Sequence, residues 1–272
     1  MAHRERDYVL GTHDDELERL GIQHEVWRGR AMAAWQRAGI TAGQTILDLG
    51  SGPGYATLDL ASIVGKDGRV VAVDRSRRFL DALDARRRAQ RIDNVEVIES
   101  DLDEVQLVPD SVDGAWCRWV LAFVPRPREL LTRAAAAIKS GGVFVSHEYF
   151  DYSTWRSMPV SPLFEEFVQA TVANWRRSGG EPDIGLDVPH WLEELGFTIE
   201  SARPIIDVIT AKDFAWRWPT SFMEIGLARL VEIGGIDRSR EAEFREALRS
   251  VADSPTMRMI TPGVLEVIAR KN

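Results

Sequence analysis

Three glycines at alternate positions, Gly50, Gly52 and Gly54, directly follow the apolar segment 46–49. An apolar strand that runs into a glycine-rich turn and then a helix lets a ligand approach the backbone closely and meet exposed N–H groups. The spacing therefore predicts a ligand site at this turn, with a tight turn that binds nothing as the alternative. A dinucleotide fingerprint would need a glycine at position 55, which is Tyr55, so that form fails.

Carboxylates accompany the glycine turn at the ends of successive predicted strands. Asp48 lies two residues before Gly50, Asp74 ends the segment 70–74, and Asp101 follows the segment 95–100. The carboxyl ends of parallel strands lie at one edge of a sheet, where open α/β folds bind ligands. We expect the three carboxylates near one ligand, although each alone is also typical of a solvated strand end.

The elements that must position these residues alternate between strand and helix. Near-continuous apolar strands separated by helices indicate a parallel sheet with both faces covered. The pattern predicts strands at 44–50, 69–74, 94–100, 111–120, 143–150, 198–210 and 265–270. It predicts helices at 14–37, 55–65, 78–91, 127–142, 161–180 and 190–197, with a helical insertion at 212–253. Gly21 and Gly29 leave open whether the first helix is two shorter ones.

Taken together, the glycine spacing and the order of acidic residues over about residues 40–150 resemble the class I S-adenosylmethionine-dependent methyltransferases. The resemblance implies a Rossmann-like α/β fold: a seven-stranded, mostly parallel sheet with a reversed last strand, helices on both faces and helical lid insertions. It implies one methyltransferase domain over residues 1–272. Its parts are an N-terminal helical cover (1–40), a cofactor-binding core (41–150), helical lids (151–186 and 211–254) and sheet completion (187–210 and 255–272).

The same resemblance implies S-adenosyl-L-methionine as the cofactor and S-adenosyl-L-homocysteine as the product. We expect no metal site, because the histidines show no metal-ligand spacing and one cysteine cannot form a cysteine cluster. In such enzymes an acid at the position of Asp74 holds both ribose hydroxyls. Asp101 would accept from the adenine amine, beside the Leu102 N–H. Arg28 would pair with the cofactor carboxylate, unless it is an ordinary surface residue. The full implied cofactor set is Tyr8, Gln23, Arg28, Asp48, Gly50, Ser51, Gly52, Gly54, Asp74, Arg75, Asp101, Leu102, Cys117 and Arg118.

His147 and Glu148 close the predicted fifth strand and are the candidate catalytic residues. The unperturbed pKa of a histidine is about 6.5, which suits a general base for a phenol or alcohol acceptor. Glu148 would orient this histidine or position the substrate. A histidine whose hydrogen bonds are satisfied by the backbone is the alternative.

Nine tryptophans, seven of them outside the core at 41–150, predict a closed pocket for a small, partly aromatic or apolar molecule. Packing within the lids is the alternative explanation for each ring. The predicted substrate-binding residues are Trp119, His147, Tyr149, Trp155, Trp175, Trp218 and Phe222.

Composition and charge exclude or disfavour several further classes of protein. The net charge of −8 disfavours a general nucleic-acid binder, and a single cysteine excludes an internal disulfide. No apolar run is long enough to span a membrane. We therefore predict a cytoplasmic enzyme, monomeric or homodimeric, that methylates an O or N atom of a small molecule without nucleic-acid or membrane partners. A methyltransferase for protein or RNA, an NAD(P)-dependent oxidoreductase, and a binding module without catalysis remain as alternatives.

Overall fold

A computed structural model describes residues 14–254 and 256–272 of the chain. Its α-helices are α1 (Asp14–Arg37), α2 (Tyr55–Val64), α3 (Arg77–Ala89), α4 (Pro127–Ala137), α5 (Pro162–Arg177), α6 (Val188–Glu194), α7 (Arg217–Glu232) and α8 (Arg238–Asp253). Its strands are β1 (Thr45–Leu49), β2 (Arg69–Asp74), β3 (Val95–Glu99), β4 (Val112–Arg118), β5 (Ile138–Asp151), β6 (Arg156–Met158), β7 (Phe197–Ile205), β8 (Val208–Ile209), β9 (Arg258–Ile260) and β10 (Gly263–Lys271). Short 3-10 helices lie at 152–154, 184–186 and 214–216.

Within the described residues, seven strands form one sheet in the order β3-β2-β1-β4-β5-β10-β7. The pairs β1/β2, β1/β4, β2/β3 and β4/β5 are parallel, whereas β10 runs antiparallel to β7. The predicted fold class is therefore confirmed. The strand order reverses between β1 and β4, and this reversal is the point where open α/β sheets bind ligands.

Two compact units divide the chain, and we describe each by itself. The sheet unit comprises residues 27–150, 180–205 and 264–272. The aromatic unit comprises residues 151–179 and 206–263 together with the first part of α1, up to Val26. The prediction that the whole chain acts as one methyltransferase domain with helical lids stays a prediction.

The core of the sheet unit forms because its strands are apolar on both faces. Ile46, Leu47 and Leu49 of β1 are all fully buried, although their side chains alternate between the two faces. On one face, the Trp35 ring from α1 meets the edge of the Trp116 ring from β4, with 5.1 Å between centroids. Burying rings of this size stabilises the contact between helix and sheet.

The aromatic unit has a small three-stranded sheet in the order β6-β9-β8, with antiparallel pairs. The Trp155 ring is fully buried in this unit, and its N–H lies 3.1 Å from the Met259 sulfur. Trp155 meets three phenylalanine rings of the same unit within 5.6–5.9 Å: Phe164, Phe167 and Phe222. Ring packing thus provides much of the apolar core of this unit.

Gly21 and Gly29 do not interrupt α1, which is one continuous helix over the predicted range. The observed elements differ from the predicted ones in three places. The helix predicted over 127–142 ends at Ala137, and β5 begins at Ile138. The strand predicted over 198–210 divides into β7 and β8, which belong to different sheets. The three-stranded sheet was not predicted. None of the helices over 14–254 and 256–272 has the length and apolar character needed to cross a membrane.

Candidate functional site

The glycine turn after β1 adopts a backbone conformation that glycine favours. Gly50, Gly52 and Gly54 have φ angles of +65°, +53° and +83°. A Cβ atom on Gly50 would lie 2.5 Å from a Val120 methyl carbon, and one on Gly54 would lie 2.2 Å from a Leu83 methyl carbon. Side chains are therefore excluded at Gly50 and Gly54 by packing as well as by φ.

Gly52 differs from Gly50 and Gly54 because a Cβ atom on Gly52 would meet nothing within 4 Å. The hydroxyl oxygen of Ser51 is buried and makes no hydrogen bond to the described residues. Open space above a positive-φ glycine, next to an unpaired buried hydroxyl, fits a ligand held by the turn. The residues present thus fit the bound cofactor that the resemblance implies.

Asp48 lies beneath the turn, 2% exposed, and accepts a 2.6 Å hydrogen bond from the Thr57 hydroxyl of α2. Burial raises the pKa of this carboxyl from 3.8 to about 7, against the opposing effects of the Thr57 hydrogen bond and the charge of Arg118. Sequence reasoning missed Thr57, although its place two residues into α2 could have indicated it.

Asp74 at the end of β2 ties the glycine turn to the loop before α3. Its two oxygens accept from the Gly52 N–H and the Ser76 N–H, each at 2.8 Å. Desolvation raises the pKa of the Asp74 carboxyl, and the two backbone N–H groups oppose that rise. Each carboxylate oxygen can accept a second hydrogen bond, so these contacts leave capacity for ribose hydroxyls.

The segment after β3 is held by its own backbone and by two arginines. Asp101 accepts from the Asp103 N–H at 3.0 Å, and the Arg75 guanidinium lies 3.9 Å from its other oxygen. Leu102 is buried, and its carbonyl accepts from Arg133 at 2.6 Å. Asp101 and Arg75 thus lie close to each other, and the role of each toward the cofactor stays a prediction.

Arg118 ends β4 beside the turn. Its half-buried guanidinium lies 5.9 Å from the Trp116 ring centroid and 5.2 Å from that of Trp119. Burial lowers the Arg118 pKa to about 10, although the charge of Asp48 favours the protonated form. The arginine therefore stays cationic at neutral pH, within electrostatic reach of the Asp48 carboxylate.

Trp119 has a left-handed backbone, with φ of +50°, directly after β4. A bulky residue in this conformation is strained by about 1–3 kcal/mol, and such strain clusters at functional sites. The indole stacks on the Tyr149 ring, with 5.4 Å between centroids and a 20° interplanar angle, and it meets the Trp27 ring edge-on at 5.1 Å. The structure therefore brings the predicted substrate residues Trp119 and Tyr149 into contact.

His147 is fully buried in β5, and its Nε2 lies 3.2 Å from a carboxylate oxygen of Glu266 in β10. Arg37 pairs with the other oxygen of Glu266. The imidazole packs between the Trp116 ring at 5.0 Å and the Trp27 ring at 5.6 Å. Burial lowers the His147 pKa below 6.5, although Glu266 favours the protonated ring. Sequence reasoning missed Glu266, which stands out as a lone acid in the apolar segment 264–269.

Glu148 lies on the other face of β5 from His147, so the structure does not bring these two candidate catalytic residues together. Its Oε1 accepts from the Val120 N–H at 2.8 Å and the Leu121 N–H at 3.0 Å, and the Cys117 thiol donates to it at 3.4 Å. Burial raises the Glu148 pKa to about 7, against these N–H contacts. The expectation that Glu148 orients His147 is therefore wrong, because adjacent strand residues point in opposite directions.

The predicted cofactor residues of the N-terminal region either have other hydrogen-bond partners or lie outside the described residues. Tyr8 is outside the described residues. Gln23 is buried in the aromatic unit, where its amide oxygen accepts from Arg19 at 2.8 Å. Arg28 makes a two-pronged ion pair with Asp59 of α2, at 2.7 and 3.0 Å. These contacts occupy Gln23 and Arg28, and their roles toward the cofactor stay predictions.

The remaining predicted substrate residues belong to the aromatic unit. Trp155, Trp175 and Trp218 are each at most 3% exposed. Trp155 packs against Phe222, and the Trp175 ring lies 5.7 Å from the Tyr152 ring. Packing inside this unit accounts for these contacts, and substrate binding by the four residues stays a prediction.

A family model described as a methyltransferase domain matches residues 40–178, just over half of the chain. The chain belongs to the class I S-adenosylmethionine-dependent methyltransferases. It is therefore a methyltransferase enzyme. The matched range contains the glycine turn and all three strand-end carboxylates.

Several individual proteins are similar to this chain. A demethylmenaquinone methyltransferase of Lactococcus lactis is 28% identical over 191 residues, which are 70% of this chain and 70% of that protein. An uncharacterised 37.1 kDa protein of a Streptomyces fradiae transposon is 30% identical over 61% of this chain, which spans only 47% of that relative's length. The solved structure of a SAM-dependent methyltransferase from Aquifex aeolicus superposes with a TM-score of 0.52 at 17% identity, over 70% of this chain and 92% of that one. This last likeness supports the fold alone.

Proposed function

We propose that the enzyme transfers a methyl group from S-adenosyl-L-methionine to an O or N atom of a small, partly aromatic or apolar molecule. The observation that carries the proposal is the glycine turn, where open space above Gly52 lies beside the Asp74 carboxylate. Trp119, directly after β4, stacks its ring on that of Tyr149 in the adjacent strand β5. A site for a nucleoside ligand and a flat apolar surface thus belong to the same unit.

The residues proposed to hold the cofactor are those of the turn and of the strand ends. The Asp74 carboxylate would accept from the ribose hydroxyls, and Asp101 with the Leu102 N–H would meet the adenine. Ser51 and Gly52 would line the turn, and Arg118 would attract the cofactor carboxylate through its charge. Ion pairing between Arg28 and Asp59 leaves Arg118 as the better supported cation for this last role.

When bound, the cofactor supplies a methyl group on a sulfonium, which is already activated for transfer. The contribution of the protein is to align the acceptor atom with the S–CH3 bond and to exclude water. We propose that the indole of Trp119, stacked on Tyr149, provides a flat surface that orients an aromatic or apolar acceptor. Positioning of this kind lowers the barrier by several kcal/mol in good cases, about 7–11 at most.

A general base is needed only for an acceptor that must lose a proton, such as a phenol. We propose His147 for this role, with Nδ1 as the accepting atom. Nε2 faces the Glu266 carboxylate, and Nδ1 makes no hydrogen bond to the described residues. The lowered pKa of His147 supports a neutral imidazole at physiological pH.

The acceptor class is supported by one named relative. The Lactococcus lactis relative is named for demethylmenaquinone, a ring-bearing small molecule. We propose that this chain methylates a ring-bearing acceptor as well. Phenols and reduced quinones belong to this class of acceptor. A net charge of −8 supports an acceptor other than a nucleic acid. Action on a small molecule in the cytoplasm, without membrane partners and as a monomer or homodimer, belongs to the same proposal.

A methyl-transfer screen tests the proposal. The protein is incubated with methyl-labelled S-adenosylmethionine and a panel of phenols, amines and reduced naphthoquinones, and labelled products are identified by mass spectrometry. We expect label on an O or N atom of at least one ring-bearing acceptor. Label only on a ring carbon, or only on protein or RNA added as competitors, would contradict the proposed acceptor class.

A further inference from the structure

The loop after β4, residues 119–122, is held by a buried carboxylate on the neighbouring strand. We propose that Glu148 is a positioning residue that clamps this loop and so supports both the glycine turn and the Trp119 ring. The inference rests on the proposed function, because it concerns how the same site is shaped. It also replaces the catalytic role predicted for Glu148 with a different one.

The clamp consists of converging hydrogen bonds to one atom. Glu148 is 1% exposed, and its Oε1 accepts from the N–H groups of Val120 and Leu121 at 2.8 and 3.0 Å. Both of these residues are themselves buried. Buried N–H groups without a partner are costly, so the loop depends on this oxygen for its conformation.

The two ends of the loop also make backbone hydrogen bonds to other parts of the sheet unit. The Trp119 N–H donates to the His147 carbonyl, and the Glu181 N–H donates to the Ala122 carbonyl, both at 3.0 Å. Glu148 therefore holds the centre of the loop, between these two backbone hydrogen bonds. Removing its carboxylate leaves these two backbone bonds in place and takes away the oxygen that accepts from both Val120 and Leu121.

Two parts of the site depend on that centre. A Cβ on Gly50 would lie 2.5 Å from a Val120 methyl carbon, so Val120 packs directly against the glycine turn. Trp119 has φ of +50°, a conformation that persists only where the surroundings enforce it. The clamp on Val120, the residue that follows Trp119, helps to enforce it, together with the hydrogen bond of the Trp119 N–H to the His147 carbonyl. Loss of the clamp should therefore disturb the cofactor turn and the ring surface together.

The two carboxylate oxygens of Glu148 have different surroundings, so two conservative variants can test the clamp. Oε2 is buried and makes no hydrogen bond to the described residues. Glu148→Gln keeps an acceptor oxygen at the position of Oε1, so it should preserve most of the clamp. Glu148→Asp keeps the charge but shortens the side chain by one methylene, so its oxygen should not reach both N–H groups.

The experiment measures amide hydrogen exchange and cofactor-product affinity in parallel. Exchange at Val120 and Leu121 is followed by NMR in the ligand-free protein, and affinity for S-adenosylhomocysteine is measured by calorimetry. The control is Asn94→Ala, which removes hydrogen bonds to the Ala61 and Gly65 carbonyls at the end of α2. This control lowers stability without touching the loop.

We expect Glu148→Ala and Glu148→Asp to speed exchange at Val120 and Leu121 by about tenfold or more and to weaken binding by a similar factor. Glu148→Gln should restore most of both, and Asn94→Ala should leave both unchanged. If exchange at these amides in Glu148→Ala and Glu148→Asp matches that of Asn94→Ala, the clamp is refuted. If Glu148→Ala does not fold, Glu148→Asp alone decides. A wild-type protein that binds no S-adenosylhomocysteine refutes the proposed function, whereas the exchange data still test the clamp.

Discussion

Substituting Gly52 by alanine separates the strain of the glycine turn from its role in binding. The φ angle of Gly52 is +53°, and an added Cβ atom would meet nothing within 4 Å. The variant therefore carries a backbone cost of about 1–2 kcal/mol in the free energy of unfolding, without any steric clash in the ligand-free protein. Its new methyl group would occupy the space proposed for the cofactor.

Gly39 offers a matched control in the same unit. Its φ angle is +78°, an added Cβ atom would also meet nothing within 4 Å, and it lies just after the end of α1. Gly39→Ala should therefore lose about 1–2 kcal/mol of stability for the same backbone reason. It carries no proposed contact with the cofactor.

Urea denaturation and calorimetry on the two variants give the comparison. We expect similar losses in the free energy of unfolding for Gly52→Ala and Gly39→Ala. Affinity for S-adenosylhomocysteine should fall by about tenfold or more in Gly52→Ala, a loss of about 1.4 kcal/mol. Gly39→Ala should bind as the wild type does. Equal affinities in the two variants would refute the reasoning that the space above Gly52 receives the cofactor.

Three further predictions follow from the site. The Asp48 pKa rises from 3.8 in the unfolded chain to about 7 in the folded one, so its ionisation destabilises the fold as pH rises through that window. The free energy of unfolding in urea should therefore rise in Asp48→Asn relative to wild type, by about 2–4 kcal/mol as the pH increases from about 4 to 7. A difference between the two proteins that does not change with pH would contradict a buried Asp48 carboxyl with a raised pKa. Because Trp119 has φ of +50°, Trp119→Gly should be more stable to urea than Trp119→Ala by about 1 kcal/mol; the reverse order would show that the residue is not strained. If His147 is the base, the transfer rate should fall as pH drops through a pKa below 6.5, and His147→Ala should lose that dependence; an unchanged pH–rate profile would exclude the role.

The nucleotide-binding half of the fold was predictable because its signals are local and strong. Each strand of the parallel sheet is an apolar segment bounded by polar residues, and the glycine turn marks the end of β1. The carboxyl ends of such strands lie at one edge of the sheet, so the neighbourhood of Asp48 and Asp74 followed from order along the chain. In the structure the Gly52 N–H donates to Asp74 at 2.8 Å, so the glycine turn and the end of β2 are in contact.

The small sheet of the aromatic unit was not predictable from the same signals. Strand β8 has two residues, and β6 and β9 have three each, which is too short for a period-two pattern to emerge. The partners are also far apart in sequence, since β6 pairs with β9 across about one hundred residues. Pairing of this kind depends on tertiary contacts.

Some features of the site could have been predicted from the sequence and were overlooked, whereas others could not be predicted from it. The alternation of strand residues was enough to separate His147 from Glu148, because neighbours in β5 must face opposite sides. The left-handed backbone of Trp119 carries no sequence signal, since tryptophan rarely adopts it. The ion pair between Arg28 and Asp59 also depends on how α1 packs beside α2. Such contacts become visible only in three dimensions.

Calorimetric titration of the wild-type protein with S-adenosylhomocysteine tests the central claim most directly, with NAD as the parallel ligand. The glycine turn, the Asp74 carboxylate and the family assignment together predict saturable one-site binding of S-adenosylhomocysteine and no heat of binding for NAD. Binding of NAD without binding of S-adenosylhomocysteine would contradict the account at its base.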